Sequence, residues 1–364
     1  MVYTWKKHSI EKFNGGGEMK NYPPRLLSVL GIVGVLLICE SCAHASQSTR
    51  SELVYLLCYP GVDNFPLARS LGFNTVLVNL DPDGHDWVST YEAAIQIRLK
   101  IIPLIWNTAT NQSIWEWDDQ KSRWKLDPLL YPNAVGAKFL KFLKEHPDYF
   151  NHTFAIYAFH EPLWEPDLYS PERMKKFYQQ ITEEVFPNTQ VRVYGEDITM
   201  GWDQSDECLT GVLDYENHLV YPFVNTPQGR YRPFDVKNNY WSLPPINDLN
   251  TTLKAELKCL DERLKRWAMA PAARTGRRPK ALVMFQAFVD SEFDDLWNRM
   301  PTAEEMEKFA AWFLEQRGSQ ILGLAWYCFE LVADNYRESL KSSRFDEQGK
   351  DRWEVMRRVS TLLN

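Results

Sequence analysis

Eight short apolar runs rich in β-branched residues alternate with helix-like stretches along almost the whole chain. No Gly-rich phosphate turn follows the first run, and together these observations predict an α/β fold, a (β/α)₈ barrel. The runs are near-continuously apolar, as expected of strands buried on both faces of a parallel sheet. The competing class, a doubly wound open sheet, would carry the missing glycine signature.

The elements follow in order. Leu53-Val54-Tyr55-Leu56-Leu57-Cys58 reads as the first strand, and after a Pro-Gly turn a short helix closes at Leu71-Gly72-Phe73. Thr75–Leu80 is the second strand, Val88–Arg98 a helix and Lys100–Trp106 the third strand. An aromatic, polar loop at 107–131 leads to a helix at Ala134–Glu145, a fourth strand at Phe154–Phe159 and a helix at Pro171–Val185. Ser170 caps that last helix, and Pro171 occupies its first turn. Gln190–Tyr194 is the fifth strand, Ser205–Asp214 a brief helix and His218–Val224 the sixth strand. A loop rich in Pro, Asn and aromatics at 225–247 precedes a helix at Asp248–Met269 and a seventh strand at Ala281–Phe288. Thr302 caps a helix at Ala303–Gln316, with Glu304 and Glu305 favouring its N-terminal dipole. Ile321–Tyr327 is the eighth strand, and Arg352–Leu363 a closing helix.

Composition narrows the class. A chain of 364 residues with 45% hydrophobic and 24% charged residues can bury a large core without metals or disulfides. A formal net charge of -7 and the lack of a basic face argue against a nucleic-acid partner. The aromatic share of 14% exceeds ordinary core needs, and rings in concave sites stack on sugars. Of the six cysteines, Cys39 and Cys42 fall in the N-terminal signal-like segment, and Cys58, Cys208, Cys259 and Cys328 show no metal-like spacing. Cys58 and Cys328 fall on the first and eighth strands, neighbours in a closed barrel, and read as buried thiols that could approach each other.

The N-terminus points to export. From Met19, Lys20 and Arg25 form a positive region, Leu26 to Ile38 an apolar run, and Ala43-His44-Ala45 a small-x-small cleavage site before Ser46. The run is shorter than a membrane span requires. Residues 1–18 read as a misassigned start, 19–45 as a signal peptide and 46–364 as one domain, secreted or held in the periplasm or cell envelope. No transmembrane span is expected once the signal is removed. Lipid attachment at Cys42 is the alternative, although Cys39-Glu40-Ser41 makes a poor lipobox. The expected state is a monomer.

In a barrel of this kind the active site lies at the carboxyl ends of the strands. Polar residues at those positions are Asn79 and Asp81, Asn107, His160 and Glu161, Glu196 and Asp197, Tyr221, Gln286 and Asp290, Tyr327 and Glu330. Carboxylates, amides and tyrosines suit a polyhydroxylated ligand. With seven histidines and no H-x-H or HExxH, a zinc centre is not expected, nor is any other metal or cofactor. His160-Glu161-Pro162 is the sharpest feature, an apolar strand that ends in an ionisable pair. A carboxylic acid beside an apolar wall is what glycosidic-bond protonation needs, and Trp164 offers such a wall or a sugar platform. The bland alternative is that Glu161 pairs with an arginine or caps a helix. Trp106, Trp202, Trp241 and Trp326 are further stacking candidates, and Trp115 and Trp117 a possible subsite wall.

The stretch around Glu161 resembles bacterial glycoside-hydrolase-like barrels whose fourth strand ends in Asp-Glu-Pro or Asn-Glu-Pro. Leu71-Gly72-Phe73-Asn74-Thr75-Val76, Val220-Tyr221-Pro222-Phe223 and Phe285-Gln286-Ala287-Phe288 are similar to segments of the same proteins, in the same order. So is Arg299–Met306. The resemblance implies a glycosidase-type barrel with Glu161 as acid/base. Two residues depart from it. His160 replaces the Asp or Asn, and Gln286 stands where retaining relatives carry a nucleophilic Glu. A glutamine cannot attack an anomeric carbon. Glu196 is therefore the first candidate for a second carboxylate, followed by Asp197 and Glu330. The expected function is hydrolysis of a poly- or oligosaccharide, with Glu161 as proton donor; the alternative is a catalytically inactive carbohydrate-binding barrel of the cell envelope.

Overall fold

The apolar runs do form parallel strands: β1 (Val54–Cys58), β2 (Thr75–Leu80), β3 (Lys100–Asn107), β4 (Ile156–Phe159), β5 (Val193–Gly195), β6 (Tyr215–Val220), β7 (Lys280–Gln286) and β8 (Ile321–Tyr327). The computed structural model describes residues 53–107, 112–159, 169–187, 189–195, 212–220, 230–231, 244–269, 279–290, 299–316, 320–330 and 336–363.

Hydrogen bonding orders the strands β3-β2-β1-β8-β7-β6-β5-β4, each parallel to its neighbour. The two ends of that order also meet. Ile101 of β3 bridges Thr153 in parallel sense, and the Phe154 N–H donates to the Ile101 carbonyl at 2.7 Å, just ahead of β4. Eight strands in chain order, with the first beside the eighth, are a (β/α)₈ barrel. Closure removes the exposed edges that an open sheet would leave.

The unbroken apolar runs follow from this closure. Alternate residues such as Leu56, Leu77, Leu104, Tyr157 and Met284 fill the barrel interior. Their neighbours, including Leu57, Val76, Ile105, Ala158 and Phe285, pack outward against the helices. Both faces of each strand are thus buried, and neither can be polar without cost.

The helices are α1 (Phe65–Ser70), α2 (Trp87–Gln96), α3 (Val135–Glu145), α4 (Pro147–His152), α5 (Pro171–Gln179), α6 (Leu249–Met269), α7 (Ala303–Gln316) and α8 (Arg352–Leu363). The predicted caps are present. Ser170 Oγ accepts from the Arg173 N–H at 3.4 Å at the start of α5. Thr302 and Glu305 form a reciprocal capping box: Glu305 N donates to Thr302 Oγ1 at 3.2 Å, and Thr302 N donates to Glu305 Oε2 at 2.8 Å. The predicted helix at 171–185 changes character at Gln180, where it becomes a π-helical turn through Val185. That widening accompanies a buried amide, since Gln180 Oε1 accepts from Trp124 N at 2.9 Å and Gln180 Nε2 donates to Trp124 O at 3.2 Å.

Other expectations are corrected. β6 begins at Tyr215, three residues ahead of the predicted start, because Glu216 and Asn217 are buried in the strand rather than exposed in a turn. Residues 212–214 of the predicted 205–214 helix are not helical, and 205–211 lie outside the described residues. The predicted seventh strand divides at Ala287. Its second part, Phe288–Asp290, pairs antiparallel with Tyr336–Ser339. The 107–131 loop carries a small hairpin, Trp117–Asp118 with Arg123–Trp124. Trp115 and Trp124 are buried beneath it, and the Trp115 indole N–H donates to the Tyr157 carbonyl at 3.1 Å. Trp115 is therefore a packing residue. Trp117 lies between Trp124, 5.5 Å away edge to face, and the guanidinium of Arg173 at 4.6 Å.

Candidate active site at the carboxyl mouth of the barrel

Each barrel strand delivers its last residues to one rim, where the described candidates Asn79, Asn107, Gln286 and Tyr327 lie at or beside strand ends. Asn79 is exposed one residue before the end of β2, two places beyond Leu77 of the interior. Asn107 and Gln286 are the last residues of β3 and β7, and only their places in those strands are described. Tyr327 ends β8 in register with Gln286, half-buried over the inner cluster. His160, Glu161, Trp164, Glu196, Asp197 and Tyr221 lie outside the described residues, as do Trp202 and Trp241. Four of them follow strand ends directly in the chain: His160 and Glu161 come after Phe159 of β4, Glu196 after Gly195 of β5, and Tyr221 after Val220 of β6.

The register of β4 and β5 links the first two of these positions. Phe159 and Gly195 are paired across the two strands, so both chains leave the sheet at one level. Adjacent strands run roughly 4.8 Å apart. Gly195 is required by that approach. A Cβ there would lie 2.9 Å from the Phe159 carbonyl oxygen and 3.1 Å from the Leu213 side chain. We expect Gly195→Ala to push the end of β5 off β4 and to destabilise the fold by about 1–3 kcal/mol. Denaturant unfolding checks it; an unchanged midpoint would mean that the two strand ends are not in close contact.

Glu330 sits three residues past β8, and its carboxylate binds within the protein. Oε2 accepts from the Gly61 N–H at 3.0 Å, Oε1 accepts from Asn64 Nδ2 at 2.6 Å, and Lys341 forms an ion pair with it. The loop after β1 and the segment after β8 are joined through this one side chain. The Phe329 N–H adds a bond to the Cys58 carbonyl at 2.9 Å.

Among the described residues Cys58, Cys259 and Cys328 are buried thiols. Burial pushes the Cys328 thiol up, which keeps it protonated and poorly nucleophilic although it directly follows Tyr327. Trp326, a stacking candidate by sequence, is core: it is 1% exposed, and its indole N–H donates to Tyr55 Oη at 3.0 Å. A polar group that sequence reasoning missed lies on β6. Glu216 and His218 are buried together, with His218 Nε2 3.9 Å from the equally buried Glu256 of α6. No group of His, Cys, Asp and Glu able to hold a metal ion occurs among the described residues.

No family model and no curated protein matches the chain. Solved structures with a related arrangement include the Pseudomonas stutzeri endoglucanase Cel5A, at 11% identity and a TM-score of 0.46 over 82% of this chain and 85% of that one. Saccharomyces cerevisiae Gas2p in complex with laminaripentaose matches at 11% identity and 0.47, over 88% and 67%. A family 17 β-1,3-glucanosyltransferase from Rhizomucor miehei matches at 13% and 0.42, over 77% and 88%. The barrel assignment stands on the strand order described above, independently of these likenesses.

Proposed function

We propose that this chain is an exported glycoside hydrolase acting on a poly- or oligosaccharide, with Glu161 as proton donor. The observation that carries the reading is the paired ending of β4 and β5 at Phe159 and Gly195. Two carboxylates, Glu161 and Glu196, follow neighbouring strand ends within one or two residues on the face where barrel enzymes place their chemistry. Asn79 and Tyr327 add an amide and an aromatic hydroxyl to the same rim, the groups that hold sugar hydroxyls and rings. Glu161 would protonate the departing glycosidic oxygen. Glu196 would either attack the anomeric carbon or activate a water. A separation of roughly 5–5.5 Å between the two carboxyls suits the first and about 6.5–9.5 Å the second. Export rests on the signal-like residues 19–45, and among the described residues no helix is long and apolar enough to cross a membrane.

A second reading is favoured by one observation. β7 ends on Gln286, which pairs with Tyr327, so that strand end offers an amide rather than a nucleophile. A barrel that binds glycan without cleaving it would need no more. A screen of the purified protein against a broad panel of neutral and acidic glycans separates the two. Release of new reducing ends, reduced in Glu196→Gln, supports the hydrolase; binding without release from any glycan supports the silent barrel and overturns the enzyme.

A further inference from the structure

Tyr59, the residue directly after β1, has a φ of 56°. Two other described non-glycine residues share the left-handed region, and each has a local reason. Arg98 closes α2, where its N–H bonds to the Ile95 carbonyl and the Leu99 N–H returns to Ala94, a usual left-handed helix end. Ser122 turns the small hairpin between Asp118 and Arg123. Tyr59 ends a strand and still donates its N–H to the Leu77 carbonyl at 2.8 Å, as if the sheet continued. Pro60 after it favours an extended backbone, so the left-handed turn runs against local preference as well. A bulky residue persists there only where its surroundings over-determine it, and such strain gathers at ligand sites.

The surroundings are the rim network. Tyr59 is half-buried against the inner cluster, 5.5 Å from Tyr327 with the ring planes at 85°. Glu330, through Gly61 and Asn64, holds the loop that carries Tyr59 against the segment after Tyr327. Two perpendicular aromatic rings at the mouth make a corner. Such a corner suits a pyranose, whose C–H face packs on one ring while its rim abuts the other.

We infer that Tyr59 is a specificity-determining wall of the glycan site, and that Glu330 is its positioning residue, pinning the first loop to the eighth so that the two rings meet at a right angle. The inference rests on the glycan-binding reading above. It replaces direct substrate contact by Glu330 with a role exercised through Tyr59.

The test is calorimetric titration of the full chain with a panel of neutral oligosaccharides that includes cellobiose and laminaritriose. Tyr59→Leu is expected to weaken the best-bound member about three- to tenfold, with Tyr59→Phe near wild type. Tyr59→Asn, which tolerates the left-handed backbone, should show the same loss and covers the case in which the leucine variant fails to fold. Glu330→Gln should weaken binding on its own but add nothing in the Tyr59→Leu background, a non-additivity that a purely structural role would not produce. Wild-type affinity in folded Tyr59→Leu or Tyr59→Asn overturns the inference, as does full additivity of Glu330→Gln. Failure of the wild type to bind any member overturns the glycan reading itself, and the inference with it.

Discussion

Gly323→Ala is expected to destabilise the barrel severely. Gly323 lies in β8 opposite Val54 of β1, at the seam where the first and last strands close the ring. A Cβ at this position would lie 1.9 Å from the Val54 carbonyl oxygen, 2.6 Å from its carbon and 2.8 Å from its nitrogen. These are backbone atoms of a hydrogen-bonded strand and cannot rotate aside as a side chain would. Relief requires separating β1 from β8, with loss of ladder bonds and of the packing of Leu56 and Ala325 behind them. Overpacking a well-filled core commonly costs about 1–3 kcal/mol, and a clash with backbone on a closing seam belongs at or above the top of that range. Native proteins hold only about 5–15 kcal/mol in total. Expression of the variant with circular dichroism and denaturant unfolding checks this. A cooperative transition at the wild-type midpoint would contradict the strand register at the seam.

Glu161→Gln is expected to lower glycan hydrolysis by a factor of about 10²–10⁴, the usual contribution of a general acid. The substitution is nearly isosteric, so affinity for an oligosaccharide and thermal stability should stay near wild type. The amide fails because it has no acidic proton to give the leaving oxygen. Substrates with good leaving groups, such as aryl glycosides, need less protonation and should lose less activity than natural glycans. That graded loss separates an acid from a residue that merely shapes the mouth, which would affect both substrates alike. Undiminished hydrolysis of natural glycans by the variant would remove Glu161 from the mechanism.

Much of the scaffold was legible because burial on both faces leaves an unmistakable pattern. Thr75–Leu80, Ile321–Tyr327, Ala303–Gln316 and Arg352–Leu363 were predicted with the boundaries observed. The same property hid which face a residue takes. In Leu324-Ala325-Trp326-Tyr327 every position is apolar or aromatic, and only the fold reveals that Trp326 packs outward while Tyr327 reaches the rim. β6 was placed too late for the opposite reason. Glu216 and Asn217 break the apolar pattern, yet both are buried, and Glu256 of α6, buried beside His218, lies forty residues past Glu216 in the chain. Burial of charge depends on tertiary neighbours that no local pattern announces. Tyr59 was overlooked likewise, since Tyr-Pro-Gly reads as an ordinary turn and its neighbours Tyr327 and the Glu330 that binds Gly61 come from the other end of the chain. Glu330 was recognised as a rim carboxylate, but its partners Gly61, Asn64 and Lys341 belong to segments that only barrel closure brings together.

The central proposal is that Glu161 is the acid that protonates the glycosidic oxygen of a bound sugar. The most direct test is a crystal structure of the Glu161→Gln variant soaked with an oligosaccharide that the wild type cleaves. We predict the side chain at position 161 within about 2.6–3.2 Å of the glycosidic oxygen, with a second carboxylate, Glu196 first, on the other side of the sugar. A side chain turned away from the ligand and engaged by an arginine, or capping a helix, would contradict the account.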